Sequence, residues 1–206
     1  MSAEQSPRGA PRRVVGRAGS YPKGVARRQE ILDRAIEVFR ERGAGGASLR
    51  GIATAIGVSH AALLHYFDSR EQLLVAVYEH AESTLESPEH DDLTALEVMT
   101  RAAVVNVGVP GKVELYSTLV AAALAAEETP ANDFFSHRFS RVREDLAKRL
   151  AAEQEAGRVR TDVDPHDVAA LLIAASDGLQ VQWLLEPSVE LERTLESFAT
   201  LLAPTP

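Results

Sequence analysis

The side chains of this sequence that could do covalent or metal chemistry are few and poorly placed for it. Its six histidines stand singly, and His60 and His65 are five apart, a spacing that does not set two imidazoles squarely on one helical face for a metal ion. His137 and His166 have acids nearby, yet no H-E-x-x-H, G-x-S-x-G or G-x-x-x-x-G-K-[ST] motif occurs, and Gly43-Ala44-Gly45-Gly46 lacks the lysine of a phosphate loop. Asp162-Val163-Asp164 offers carboxylates to a cation but no ligand loop follows it, so it reads as a cap and a turn. The absence of cysteine removes thiolate metal sites, disulfides, thiol nucleophiles and thiol redox sensing. No catalytic residue, metal site or cofactor is expected, and the chain does not read as an enzyme. What remains is suited to recognition: arginines, hydroxyls and small apolar residues gathered about one glycine turn.

That turn needs elements to hold it. Ile31, Leu32, Ala35, Ile36 and Phe39 recur at three- and four-residue spacing, which predicts an amphipathic helix of about four turns from Val25, stopped by Gly43. Ser48 can cap a second helix whose inner face is Leu49, Ile52, Ala53 and Ile56. Gly57 supplies the positive φ of a tight turn, and Ser59 can cap a short third helix that Val58, Leu63 and Phe67 lock across the second. Ser69-x-x-Gln72 forms a capping box for a fourth helix carrying Leu73, Leu74, Val77, Ala81 and Leu85. Beyond Ser87-Pro88 the breakers Gly108–Gly111, Thr129-Pro130, Gly157–Asp164 and Pro187-Ser188 delimit five further helices, roughly 91–107, 112–127, 131–156, 165–185 and 189–203. Asp164-Pro165 is a clear start signal, a capping carboxylate followed by proline at the first helical position. The expected fold is all-α with about nine helices.

Charge divides the chain as the motifs do. Across 206 residues the formal net charge is −8, which taken whole argues against nucleic acid. Residues 1–80, however, hold twelve Lys+Arg against eight Asp+Glu, leaving ten against twenty-two in the remainder. The positive excess is densest at the start, where Arg8, Arg12, Arg13, Arg17, Lys23, Arg27 and Arg28 face the single acid Glu4. Three regions follow: a flexible basic arm at 1–22, a helix-turn-helix domain at 23–80 with its motif at 48–67, and a helical body at 81–206. No apolar stretch follows the basic arm as a secretory signal would require, and runs such as Leu119–Ala126 are far short of a membrane span, so a cytoplasmic protein with no membrane partner is expected.

A helix, glycine turn and helix behind a basic arm is the arrangement that lays a short helix in the DNA major groove. The segment Ser48-Leu49-Arg50-Gly51-Ile52-Ala53-Thr54-Ala55-Ile56-Gly57-Val58-Ser59, with Leu63-Leu64-His65-Tyr66-Phe67 and Ser69-Arg70-Glu71-Gln72-Leu73-Leu74, resembles the N-terminal signature of TetR-family transcriptional regulators. Asp177-Gly178-Leu179-Gln180 also looks like a recurring phrase of that family. The resemblance implies a homodimer that binds a palindromic double-stranded operator, usually as a repressor, and releases it when a small molecule enters the C-terminal domain. It implies that Ser48, Arg50, Tyr66 and Arg70 meet the DNA backbone, Arg50 with access to the groove, and that Ser59, His60, Ala61, Ala62 and His65 lie along the recognition helix.

The sequence departs from the family where bases are read. A basic residue is commonly found where this chain has His60, glycine at Ala61, a hydroxyl residue at Ala62 and tyrosine at Leu64. Ala61, Ala62 and Leu64 are left to touch thymine methyls, a legitimate readout that supplies little affinity. Arg12, Arg13 or Arg17 in the adjacent minor groove would then supply the missing attraction. The same departures keep open a second reading, a helical ligand-binding or protein-interaction module that has lost specific DNA binding.

For the body, the resemblance implies an effector pocket and a four-helix dimer interface from the last two helices. Met99, Asn106, Tyr116, Phe134, Phe135, His137, Asp177, Gln180 and Trp183, with Phe139, are candidates for a mainly apolar cavity, although aromatic residues at helical spacing also serve simply as core. Leu171, Leu172, Leu179, Leu195 and Phe198 are the expected interface residues. The effector is expected to be small and mostly apolar.

Overall fold

The computed structural model of the protein describes residues 22–42, 49–83 and 92–204, and among them it contains nine α-helices and no strand. The head comprises α1 (Pro22–Arg42), α2 (Leu49–Ala55) and α3 (His60–Tyr66), and α4 (Arg70–Ser83) leads out of it. The body is built from α5 (Ala95–Gly108), α6 (Lys112–Ala125), α7 (Pro130–Glu155), α8 (Pro165–Leu185) and α9 (Leu191–Leu201). Helix α1 begins three residues before the expected Val25, because proline is tolerated in a first turn where its missing N–H has no partner to lose. The expected stop at Gly43, the cap at Ser48 and the Ser87-Pro88 break lie outside the described residues, as do Arg12, Arg13 and Arg17.

The glycine turn is a Schellman motif. Gly57 has φ +72°, its amide donates to the Thr54 carbonyl at 3.2 Å, and the Val58 amide donates to the Ala53 carbonyl at 2.9 Å. Arg34 of α1 adds a bond from its guanidinium to the Ile56 carbonyl at 3.0 Å, tying the end of α2 to the supporting helix. Ile31, Leu32, Ala35, Ile52, Ala53, Ile56, Leu63 and Phe67 form the core beneath. That cluster does not end with the head: it continues through Leu73, Leu74, Val77 and Tyr78 of α4 to Leu115, Tyr116 and Leu119 of α6 and Phe135 of α7. Helix α4 is the shared element, packing on α1, α6 and α7.

Local capping fixes where the helices begin. Ser69 Oγ accepts from the Gln72 amide at 3.0 Å, while the Gln72 side chain accepts from Asp68 N–H at 2.6 Å, one residue upstream of a standard capping box. The fifth helix starts at Ala95, not near 91, because Thr94 and Glu97 form a complete capping box. Asp164 caps α8 by accepting from His166 N–H at 2.7 Å, with Pro165 at the first position, and Asp162 pairs with Arg160 at 2.6 Å. Long-range caps add to these: Glu71 of α4 accepts from the Ala131 amide at 3.0 Å, and the buried Glu153 of α7 accepts from the Ala95 amide at 2.8 Å. Helix α7 packs along α8, and α5 lies between α8 and α9. By length and composition α8 would also suffice to cross a membrane.

Candidate DNA-reading face and buried polar centre

Helix α3 is seven residues long and owes its start to Ser59, whose Oγ accepts from the Ala62 amide at 3.0 Å. Leu63 points inward and is fully buried, so the outward residues are set by the helical period: Ala61, Leu64 and His65 are exposed, Leu64 to 42%. His60 and Ala62 are half-buried at the edge of that face. Tyr66 packs partly against the head core, with its ring edge-on to His65 at 5.1 Å between centroids. Arg50 is exposed on α2, and Arg70 is half-buried at the start of α4, where the helix dipole favours an anion. Thr54, exposed one turn after Arg50 with its hydroxyl on the Arg50 carbonyl at 2.9 Å, is a further hydroxyl of the same helix that sequence reasoning did not select.

The body corrects two expectations. The nine candidate pocket residues are spread over several packing clusters: Met99 belongs to a core with Leu146, Leu150 and Leu172; Trp183 packs on Leu191 and Leu195; and Tyr116, Phe134 and Phe135 sit in the core shared with the head. His137 is exposed on α7 and lines nothing internal. Asn106 Nδ2 instead donates to Gln180 Oε1 at 2.9 Å, tying α5 to α8. Of the expected interface residues, Leu172 and Leu195 are wholly buried within the chain, Leu179 and Phe198 are half-buried against its own cores, and Leu171, 59% exposed, is the most open of the five. An apolar helix on two faces offers no periodicity by which to tell its inner face from its outer one.

The structure shows instead a buried polar centre where α4, α6, α7 and α8 converge. Arg138 of α7 donates to Glu82 of α4 through Nε at 2.9 and 3.2 Å and through Nη2 at 2.7 Å, with both side chains less than a fifth exposed. Its guanidinium lies 5.9 Å from the Tyr78 ring centroid and 5.6 Å from that of Tyr116, a cation held between two aromatic faces. The Tyr78 hydroxyl donates to Glu82 at 3.1 Å, and the Tyr116 hydroxyl to Asp177 at 2.6 Å. Burial pushes both tyrosine hydroxyls upward, and it pushes the Asp177 carboxyl up against the opposing pull of the Tyr116 bond. Lys112, at the first position of α6, is only 6% exposed. Burial drives its ammonium down to about 8, with Glu82 resisting and Arg138 assisting. Sequence reasoning found Tyr116 and Asp177 of this group and missed Tyr78, Glu82, Lys112 and Arg138.

A Schellman-turned helix pair that exposes its second helix, braced by α1 and bound into a helical body, defines a helix-turn-helix DNA-binding protein. Comparison with known proteins agrees. The profile described as "Bacterial regulatory proteins, tetR family" matches residues 31–77, and that of the "BetI-type transcriptional repressor, C-terminal" matches 110–204. The HTH-type transcriptional repressor AcnR of Corynebacterium efficiens is 30% identical over 161 residues, covering 76% of this chain and 81% of that protein. A TetR transcription regulator from Haloarcula marismortui superposes with TM-score 0.71 at 23% identity, covering 87% of this chain and 97% of that one. A transcriptional regulator from Saccharomonospora viridis, solved with choline, gives TM-score 0.68 at 21% identity over 85% and 96% of the two chains. The chain belongs to the TetR family of transcriptional regulators and is a DNA-binding protein of that family.

Proposed function

We propose that the chain is a ligand-responsive repressor that acts in the cytoplasm as a homodimer on a palindromic operator and is released by a small, mostly apolar effector. The observation that carries the dimer is an unpartnered stripe on α8. Leu171, Ala174, Gly178, Val181 and Leu185 recur at alternating spacings of three and four, all exposed, with Leu171 at 59%, Val181 at 43% and Leu185 at 85%. A side chain built at Gly178 would meet no atom within 4 Å, which leaves that stretch open to a close-packed helix. A stripe of this kind is self-complementary about a two-fold axis. Two heads related by that axis then read two half-sites about one helical turn apart, which requires a palindrome. The opposite face of α8 is buried against the body through Val168, Leu172, Ile173 and Gln180, so the helix asks for one further protein surface rather than lipid all round.

The repressor names carried by AcnR and by the C-terminal profile support the sign of regulation. The choline complex of the Saccharomonospora viridis regulator supports a small-molecule effector. Family membership weighs against the rival reading of a module without DNA binding. The test is a gel shift of the full chain with DNA flanking its own gene, in excess unrelated duplex. A band that survives the competitor is expected, and its absence across the nearby intergenic DNA would defeat the proposal. Deleting residues 1–22 tests the arginine arm: each lost phosphate contact lowers the log–log salt slope by about 0.9, and an unchanged slope removes the arm from the interface.

A further inference from the structure

Arg27, Arg28 and Arg34 of α1 belong to the positive excess of residues 1–80, yet the structure directs each of them at a protein group. Arg27 pairs with one carboxylate oxygen of Glu30 and Arg34 with the other, the second at 2.9 Å. The guanidinium of Arg34 is shared, because Nη2 holds Glu30 while Nη1 donates to the Ile56 carbonyl at 3.0 Å. It lies close over the turn, where a side chain built at Gly57 would stand 3.9 Å from Nη1. Arg28 is half-buried, with its guanidinium 5.1 Å from the centroid of the wholly buried Phe67 ring.

The two long-range contacts fall at corresponding places. Ile56 immediately precedes Gly57 in the turn that ends α2, and Phe67 is the residue that caps the end of α3. A cation is favoured at a helix C-terminus, where the last carbonyls lack partners and the dipole is negative. The carbonyls of Ile52, Ala53 and Thr54 accept from backbone amides of the turn itself, whereas that of Ile56 is held from outside, by α1. A guanidinium fork can hold a carboxylate and a carbonyl at once in fixed directions, which a lysine ammonium on its flexible stem does not. Helix α3 packs on α2, and α2 on α1. The direction of α3 is therefore inherited through a turn that Arg34 grips, and its far end is covered by Arg28.

We propose that Arg28 and Arg34 are positioning residues for sequence-specific DNA binding: they fix the angle at which α3 leaves the turn, and with it the bases the chain selects, rather than holding phosphates as their charge suggests. The composition of α3 makes that angle decisive. A long lysine or arginine on a reading helix can follow a base when the helix shifts, but Ala61 and Leu64 are short and apolar. Contacts of their kind lose a quarter to a half of their energy over a gap of about 0.5–1 Å. Neither a dimer nor an effector is needed for this role, which goes beyond the repressor reading above.

The probes are duplexes selected by the full wild-type chain from a pool with a randomised central stretch. The preferred duplex and an unrelated one are then titrated by fluorescence polarisation with wild type, Arg34→Met, Arg34→Lys and Arg28→Met, each shown folded by circular dichroism and assayed well below its melting temperature. Arg34→Met should bind the preferred duplex about tenfold more weakly, as the loss of a charge-assisted hydrogen bond requires, and the unrelated duplex as tightly as wild type, with an unchanged salt slope. Arg34→Lys keeps a donor for Ile56 without the fork and should fall between the two. Arg28→Met should lose about threefold, the scale of one cation–π contact. A phosphate contact behaves otherwise: both duplexes weaken alike and the log–log slope falls by about 0.9. That pattern, or wild-type preference retained by Arg34→Met whatever its melting temperature, overturns the proposal; preference retained by Arg28→Met alone removes Arg28 from it. A wild-type chain that enriches no duplex overturns it as well, since there is then no preference for α1 to set.

Discussion

Leu64 of α3 is 42% exposed to water, whereas Lys112 of α6 is 6% exposed, and each is the reverse of what its chemistry favours. A single exposed leucine is unremarkable on a protein surface. This one stands on α3, the second helix of the helix-turn-helix, between Ala61 and His65, and α3 holds no lysine or arginine. The buried lysine sits in a cluster with Arg138, Glu82, Tyr78, Tyr116 and Asp177. The head therefore presents a weakly charged face at α3, and the junction below it concentrates charge where water is scarce. On the proposed function, α3 would discriminate by shape and apolar contact, and the charges on α4 would couple head to body.

The largest expected effect tests the junction. Arg138→Ala leaves Glu82 buried without its partner and should cost about 3–5 kcal/mol in denaturant unfolding. Replacing both, Glu82→Leu with Arg138→Met, should recover most of that loss, since two apolar groups of similar volume need no counter-charge. A double variant as unstable as the single one would mean that the pair is held by its aromatic surroundings rather than by mutual charge.

Lys112→Met is expected to act in the opposite direction. Burial lowers the ammonium from 10.5 to about 8, so below pH 8 the folded state holds a charge it disfavours, a penalty on the order of 3 kcal/mol. Between about 8 and 10.5 the unfolded chain keeps a proton that the folded chain has released, and wild-type stability rises with pH relative to the variant. The variant should melt higher at neutral pH, and the gap should close toward pH 10.5. A constant gap across that range would show that Lys112 titrates normally.

What the sequence made legible was what is encoded within a few residues. Gly57 and Ser59 announce the turn and the cap, and Asp164-Pro165 announces α8, because the groups that satisfy the backbone lie next to the backbone they satisfy. Glu82 and Arg138 are 56 residues apart and each looks like an ordinary surface charge on its own helix, so nothing local marks them as a buried pair. The family resemblance places Leu172 outward and it lies inward for a related reason: α8 is apolar on both faces, and packing against α5, α7 and α9 decides which face is covered. Thr94 moved the start of α5 because a capping box outweighs the acidic residues before it.

Smaller effects sharpen the reading face. Ser59→Ala removes the side-chain cap of α3 and should cost about 1 kcal/mol of stability, read by thermal melting. Ser59→Asp keeps an acceptor for the Ala62 amide, so stability should hold while a negative charge at the DNA surface weakens operator binding. If both variants lose stability alike, the hydroxyl is doing something other than capping.

The smallest effect is the most specific to this chain. If α3 reads thymine methyls through Leu64 and Ala61, replacing thymine by uracil in the operator removes only those methyls and leaves every hydrogen-bonding edge unchanged. Each contacted methyl should then be worth about fourfold in affinity, the transfer free energy of one buried methyl group. In Leu64→Ala the thymine and uracil duplexes should bind nearly alike at the affected step, because the partner surface is gone. The uracil penalty and the leucine penalty must fail to add, since both remove the same contact from opposite sides. Additive penalties would place Leu64 away from the bases, and the discrimination would then fall to His65 or to Arg50, the neighbouring exposed side chains of the head.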